Sequence, residues 1–203
     1  ETIAAPNADL SVGAGVTVAL IDTGVSRDAD GLTDVEHINV TNARDGDGLG
    51  HGTFLAGIIG GRGAFPGVAP GVHLVDVQVA DKKGRTSLRE VLTGLDAIAD
   101  RGGVDVVNIS LSTESPLPPS FDPLSWTLEN MWESGITVVT AAGNDGPEPG
   151  TVGSPGNDPL LITVGALDEH AIADSRDGDS VALFSARGSE YTEDKPDLVA
   201  PGV

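Results

Sequence analysis

The chain of 203 residues is long enough for one domain with a real core, and its 39% hydrophobic residues, 28 glycines and 3% aromatic residues favour an α/β fold of small aliphatic side chains over a helical bundle. The formal net charge of −20 repels phosphate backbones and anionic membranes, so we expect no nucleic-acid partner. Cysteine is absent, which excludes disulfides and thiol chemistry, and no apolar run reaches the length of about 18 residues that spans a membrane.

Apolar segments of strand length alternate with helical patterns along the chain. The predicted strands, each apolar enough for burial on both faces, are 16–21, 73–79, 104–109, 136–140 and 160–164. Apolar residues at helical spacing predict a helix over 87–100, with Ser87 as its N-cap and Gly102 as its stop. A second helix is predicted over 125–134, closed by Gly135. The alternation indicates a three-layer α/β fold, with a central, mostly parallel sheet and helices on both faces.

Three polar residues are candidates for chemistry: two follow strands, where such sheets carry functional residues, and the third opens a helix. Asp22 follows the first predicted strand, where a buried carboxylate is costly unless a hydrogen bond holds it. His51 opens a segment, 51–59, whose small residues suit a helix packed on the sheet, and a neighbouring carboxylate would fix the tautomer of its imidazole. Asn144 follows the strand at 136–140, where its amide would face a developing oxyanion, a contact worth roughly 3–4 kcal/mol. Taken singly, each residue is more often structural: Asp22 as a turn or cap residue, His51 as a structural histidine and Asn144 as a turn former.

Four motifs, taken in order, resemble those of the subtilisin-like serine protease (subtilase) family. They are Val18-Ala19-Leu20-Ile21-Asp22-Thr23-Gly24-Val25, Gly50-His51-Gly52-Thr53 with Ala56-Gly57, Ala141-Ala142-Gly143-Asn144 and Lys195-Pro196-Asp197-Leu198-Val199-Ala200-Pro201-Gly202-Val203. The resemblance covers almost the whole chain and implies a serine endopeptidase acting on polypeptides. In it Asp22 orients the base, His51 is the base and later the acid, and Asn144 stabilises the tetrahedral intermediate.

The nucleophilic serine that the resemblance implies is not found between residues 1 and 203. No Gly-Thr-Ser-Met-Ala-like stretch occurs, and Ser154 lacks the strand, turn and helix that surround an activated nucleophile. We therefore expect 1–203 to be a single, C-terminally incomplete catalytic domain, inactive and unstable alone, with the serine beyond Val203 or on a companion chain. The resemblance also implies an inhibitory propeptide in the precursor and a secreted or cell-envelope protein.

Substrate contacts follow from the resemblance, which implies an extended peptide held as an added strand. One wall of the peptide groove is formed by Ser110, Leu111 and Ser112, and the other contains Gly84. The primary specificity pocket is assigned to Ala141, Ala142, Gly143 and Gly153. Pro155 resembles the family's cis proline, so we predict a cis Ser154-Pro155 bond. The alternative is that these segments are ordinary loops.

No cofactor is needed for this chemistry, and the remaining metal hypothesis is a structural calcium ion. The loop that wraps calcium in many family members is replaced here by the short segment 60–66, which has no carboxylate or amide. Two other acidic stretches have oxygen ligands at short spacing without completing a calcium loop. Their candidate ligands are Asp45, Asp47, Asp177 and Asp179.

Three other function classes are compatible with single features of the sequence. Asp22-Thr23-Gly24 also fits an aspartic protease, whose chemistry needs a second such aspartate and an all-β fold. Gly13-Ala14-Gly15 suggests a dinucleotide-binding loop, but it precedes the first strand, whereas phosphate binding needs glycines after it. A subtilase relic that binds peptides without cutting them is the third alternative.

Overall fold

The computed structural model describes residues 9–64, 66–113, 115, 117–170, 176–189, 191 and 194–203. In this part of the chain, strands and helices alternate as the sequence predicts. The strands are β1 (Thr17–Asp22), β2 (Val35–Asn39), β3 (His73–Gln78), β4 (Val106–Ile109), β5 (Thr137–Ala141), β6 (Ile162–Asp168), β7 (Ser180–Val181) and β8 (Leu198–Pro201). The helices are α1 (His51–Gly60), α2 (Leu88–Arg101) and α3 (Pro123–Glu133), with a 3-10 turn at Pro119–Phe121.

The chain divides into two compact units. The first contains the described residues up to Ile109, together with Gly135–Thr137, and carries β1 to β4, α1 and α2. Its strands lie in the order β2-β3-β1-β4, and every pair is parallel. In this register Leu20 of β1 lies beside Asp76 of β3, and Asp76 lies beside His37 of β2.

Helices α1 and α2 cover opposite faces of this sheet, which makes the first unit three-layered. Ala56 of α1 shares an apolar cluster with Leu20 and Leu74. Gly94 of α2 lies close against Val77, whose side chain is on the other face of β3 because successive strand residues alternate. The predicted α/β architecture, a mostly parallel sheet with helices on both faces, is therefore confirmed in this unit.

Both ends of α2 lie where the sequence predicts them, whereas the start of α3 does not. Ser87 caps α2 by accepting a hydrogen bond from the Glu90 amide at 3.3 Å, and Gly102 ends it at φ 68°, both as predicted. The prediction for α3 was wrong at its start, because α3 begins at Pro123. Asp122 accepts a hydrogen bond from the Leu124 amide at 2.8 Å, so an aspartate cap followed by proline starts the helix earlier.

The second unit holds Ser110–Ser134 and Val138–Val203, with α3 and the later strands. Within it, β6 pairs in parallel with β5 and β8 and antiparallel with β7. The Ser154-Pro155 bond is cis, as predicted. Strands β2, β7 and β8 were not predicted. In neither unit do the described residues include a helix long and apolar enough to cross a membrane.

Candidate active site

Asp22 and His51 lie in direct contact in the first unit. Asp22 is the last residue of β1 and is fully buried, at 0% exposure. Its Oδ1 accepts a hydrogen bond from the Thr23 amide at 2.7 Å and lies 2.7 Å from Nδ1 of His51. Its Oδ2 is buried without a hydrogen-bond partner among the described residues. His51 therefore supplies the side-chain hydrogen bond that the sequence led us to expect for a buried carboxylate at a strand end.

His51 is the first residue of α1, and its side chain is 46% exposed. With Nδ1 directed to Asp22, its Nε2 makes no hydrogen bond with the described residues. Gly52 brings the helix close to the sheet, because its Cα lies next to the Gly24 carbonyl and the Asp22 side chain. The Gly52 amide donates to Thr23 Oγ1 at 3.1 Å, which links the helix start to the turn after β1. The imidazole thus has Nδ1 held by Asp22, while Nε2 is available for proton transfer.

Asp47 organises the start of α1, where Gly50 at the N-cap provides no side chain. Its Oδ1 accepts hydrogen bonds from the Leu49 and Gly50 amides and from Thr23 Oγ1, at 3.0, 2.7 and 2.9 Å. Its Oδ2 accepts from the Thr53 amide and hydroxyl, at 2.9 and 2.7 Å. Burial alone would raise the pKa of Asp47, but these hydrogen bonds outweigh burial and lower it. Asp47 therefore holds both the His51 helix and the Asp22 turn.

The candidate calcium ligands belong to two separate acidic stretches, one in each unit. Both oxygens of Asp47 are occupied by protein donors, and Asp45 instead binds Asn39 Nδ2 at 2.9 Å, which lowers the pKa of its carboxyl. Asp177 and Asp179 precede β7 in the other unit, and Oδ1 of Asp179 is buried without a partner among the described residues. The neighbouring Asp174 lies outside the described residues. Nowhere in the described part of the chain do three or more His, Asp or Glu side chains form a group able to hold a metal ion.

The remaining predicted site residues, apart from Gly84, lie in the second unit. Asn144 is exposed and follows β5 after the glycine turn at Gly143, whose φ is 101°. Ser110, Leu111 and Ser112 precede a two-way backbone bridge between Thr113 and Ser154, at 2.9 and 3.1 Å. Gly84 lies in the first unit, in a turn closed by its amide and the Asp81 carbonyl at 2.9 Å.

A polar cavity of about 290 Å³ lies beside this bridge. Gly153 lines it, together with Asp145, Asn157 and Tyr191. Ala142 does not line this cavity and packs instead in an apolar cluster with buried neighbours, which are Val152 and Ala186. Asp145 and Asn157 were missed in the sequence because the residues between strands gave no periodic signal.

Comparison with known proteins gives one consistent result. The sequence model of the subtilase family matches residues 13–203. Serine protease AprX of Bacillus subtilis is 36% identical over 97% of the chain, and Subtilisin DY of Bacillus licheniformis is 32% identical over 94%. A crystal structure of a cold-adapted subtilisin-like serine proteinase superposes with a TM-score of 0.74 over 94% of the chain, at 30% identity.

The chain corresponds to only part of these relatives. It spans 48% of the length of AprX and 66% of that of Subtilisin DY. It also covers 64% of the chain in the superposed crystal structure. The similarity therefore extends through nearly all of residues 1–203, and each relative continues beyond the matched region.

Proposed function

The chain belongs to the subtilase family, and from this we propose that the protein carrying it is a serine endopeptidase. In this proposal Asp22 and His51 are the acid and base of an Asp-His-Ser triad. The nucleophilic serine lies outside residues 1–203, since no serine within them has the expected motif. Residues 1–203 alone are accordingly proposed to be inactive.

The observation that carries the proposal is the 2.7 Å contact between Asp22 Oδ1 and His51 Nδ1. A carboxylate that accepts the Nδ1 proton fixes the imidazole tautomer with Nε2 unprotonated. Nε2 is then able to take the proton of a serine hydroxyl as it attacks a peptide carbonyl, and to return it to the leaving amine. The negative charge of Asp22 stabilises the imidazolium formed between these two steps.

The other roles are proposed for residues of the second unit and for Gly84. Asn144 would donate its side-chain amide to the oxyanion of the tetrahedral intermediate. The backbone of Ser110, Leu111 and Ser112 would bind an extended polypeptide, and Gly84 is proposed as a further substrate contact. The cavity that Gly153 lines would receive a substrate side chain, together with the turn at Ala141, Ala142 and Gly143.

The proposed chemistry needs no cofactor, and a structural calcium ion is left with Asp177 and Asp179 as its candidate ligands. We also propose a secreted or cell-envelope protein whose precursor carries an inhibitory propeptide. A net charge of −20 keeps such a protein soluble and away from anionic surfaces. The proposed substrate is a polypeptide.

The experiment is carried out on the full-length protein with a fluorogenic peptide and a serine-directed phosphonate. Wild-type protein should hydrolyse the peptide and be labelled by the phosphonate. Asp22→Asn should reduce kcat by about 10⁴-fold, because the wrong imidazole tautomer results, and His51→Ala by at least as much. His170→Ala, at an exposed histidine of the second unit, is the matched control and should keep wild-type kcat.

The alternatives give different results in the same assay. An aspartic protease would be inhibited by pepstatin and would ignore the phosphonate. A relic would bind the peptide without cleaving it, and Asp22→Asn would then change nothing. Either result would contradict the proposed function.

A further inference from the structure

A second buried pair of carboxylate and imidazole lies beside Asp22. Asp76 of β3 is 2% exposed, and its Oδ2 lies 2.8 Å from Nδ1 of His37 on β2. Because Leu20 and Leu74 share the apolar cluster of α1, residues two positions later, Asp22 and Asp76, point to that same face. The two carboxylates therefore occupy one side of the sheet, on adjacent strands.

The turn that follows Asp22 is held by both carboxylates. Asp22 Oδ1 accepts the Thr23 amide at 2.7 Å, and Asp76 Oδ2 accepts the Val25 amide at 2.9 Å. Val25 is itself 1% exposed, so water is a poor substitute for this acceptor. Asp76 thus fixes one end of the turn, while Asp22, at the other end, binds His51.

Keeping a carboxylate at this position is energetically costly. Burial raises the pKa of Asp76, and the nearby charge of Asp22 raises it further, so that the hydrogen bonds from His37 and the Val25 amide offset only part of the effect. Oδ1 of Asp76 is buried without a partner among the described residues. An apolar residue at this position would avoid these costs, so stability alone does not account for a carboxylate here.

From this arrangement we infer that Asp76 and His37 are positioning residues for the triad. His37 holds the Asp76 carboxylate, Asp76 holds the Val25 amide, and the turn between Asp22 and Val25 keeps the Asp22 carboxylate directed at His51. Asp76 touches neither substrate nor the reacting atoms and acts through Asp22. The inference depends on the proposed peptidase function.

The test measures kcat, KM and their pH dependence for the full-length protein and its Asp76→Asn and His37→Gln variants. Both variants should lower kcat by about tenfold or more with KM within about twofold, because the misplaced group acts in the transition state. The kcat of the double variant should be no lower than that of the less active single variant, since the two residues act as one unit. Glu36→Gln is the control, because Glu36 is next to His37 on the opposite face of β2, bonded to Arg101, and should keep wild-type kcat.

A pH readout separates positioning from a general loss of structure. The charged groups that act on Asp76 are Asp22, the last residue of β1, and His37 on β2, and Asp45 in the loop after β2 interacts with His37. Asp76→Asn removes a negative charge beside Asp22, so the pH profile of kcat should change in this variant. His37→Gln keeps the Asp76 carboxylate, so it should not produce the same change in the profile.

A measurement on wild-type protein covers the case of a variant that fails to fold. The amide resonance of Val25 should titrate together with the Asp76 carboxyl, whose pKa is raised by burial, because the Val25 amide donates to Oδ2 of Asp76. A Val25 amide that does not follow the Asp76 carboxyl, or wild-type kcat in folded Asp76→Asn protein, would overturn the inference. If the wild-type protein neither cleaves peptide nor reacts with the phosphonate, the proposed function fails instead, and the Val25 titration still tests the pair by itself.

Discussion

Gly52 is the position at which one added methyl group should do most damage to the Asp22 and His51 pair. It lies in the first turn of α1, is buried and directly follows His51. A Cβ at this position would overlap the carbonyl oxygen of Gly24 and lie 3.1 Å from Oδ1 of Asp22. Gly52→Ala therefore forces apart the two elements that carry the acid and the base.

The expected losses of kcat and of stability follow from the atoms that Gly52→Ala would force to move. The overlapped atom is a backbone oxygen, which no rotamer change removes, so helix or turn must shift by about 1 Å to restore ordinary contact. A displacement of this size at reacting groups costs about 10²-fold in kcat. The same overpacking should cost about 1–3 kcal/mol in the free energy of unfolding.

The assay compares kcat and urea unfolding of full-length Gly52→Ala and Gly57→Ala. Gly57 is in the same helix, and a Cβ there meets nothing within 4 Å. Gly57→Ala should keep wild-type kcat and gain up to about 1 kcal/mol, since alanine is the better helix former. If Gly52→Ala kept kcat within about twofold of wild type, the close packing of α1 on the Asp22 turn would not be needed for activity and the reasoning would be refuted.

Two further predictions concern stability. Asp47→Ala should lower the free energy of unfolding by about 2–3 kcal/mol in urea, through loss of a helix cap and a side-chain hydrogen bond, against less than about 0.5 kcal/mol for the exposed Asp45→Ala. Because folding lowers the pKa of Asp47, the part of its contribution that depends on ionisation is complete above about pH 4 and is lost as pH falls through the folded pKa; a difference from wild type that did not shrink as pH falls below about 4 would contradict this. The side chain of Lys195 is 3% exposed, and its ammonium lies 2.7 Å from Asp197, so Lys195→Met should cost about 2 kcal/mol, whereas the exposed Lys83→Met should cost almost nothing. Equal melting temperatures for the two variants would disprove the importance of the buried Lys195 side chain.

The fold was predictable where burial produces a local pattern. The apolar run at 16–21 became β1 at Thr17–Asp22, and the amphipathic pattern with Ser87 became α2. Both signals are contained in neighbouring residues, because strand burial and helix capping depend on short-range spacing. The pairing of Asp22 with His51 was also expected, since a buried carboxylate must find a partner.

Strand β2 was missed because its polar residues are matched by partners far away in the chain. Glu36 bonds Arg101, and His37 bonds Asp76, at sequence separations of 65 and 39 residues. Read locally, a segment with this charge has no reason to be a strand. The role of Asp47 was missed for the same reason. In the sequence an acidic loop suggests a cation site, and only the structure shows that amides at the start of α1 donate to the Asp47 carboxylate.

The placement of Asp22 and Asp76 is an argument about function as well as about fold. Each leaves one buried oxygen without a partner among the described residues, and the two negative charges raise each other's energy on the same face of the sheet. A sequence selected for stability alone would remove one of them, because a buried carboxylate rarely repays its desolvation. Both nevertheless hold the same turn, through the Thr23 and Val25 amides. The cost is understandable if the turn must be rigid before substrate arrives, so that the imidazole needs no reorganisation during the reaction.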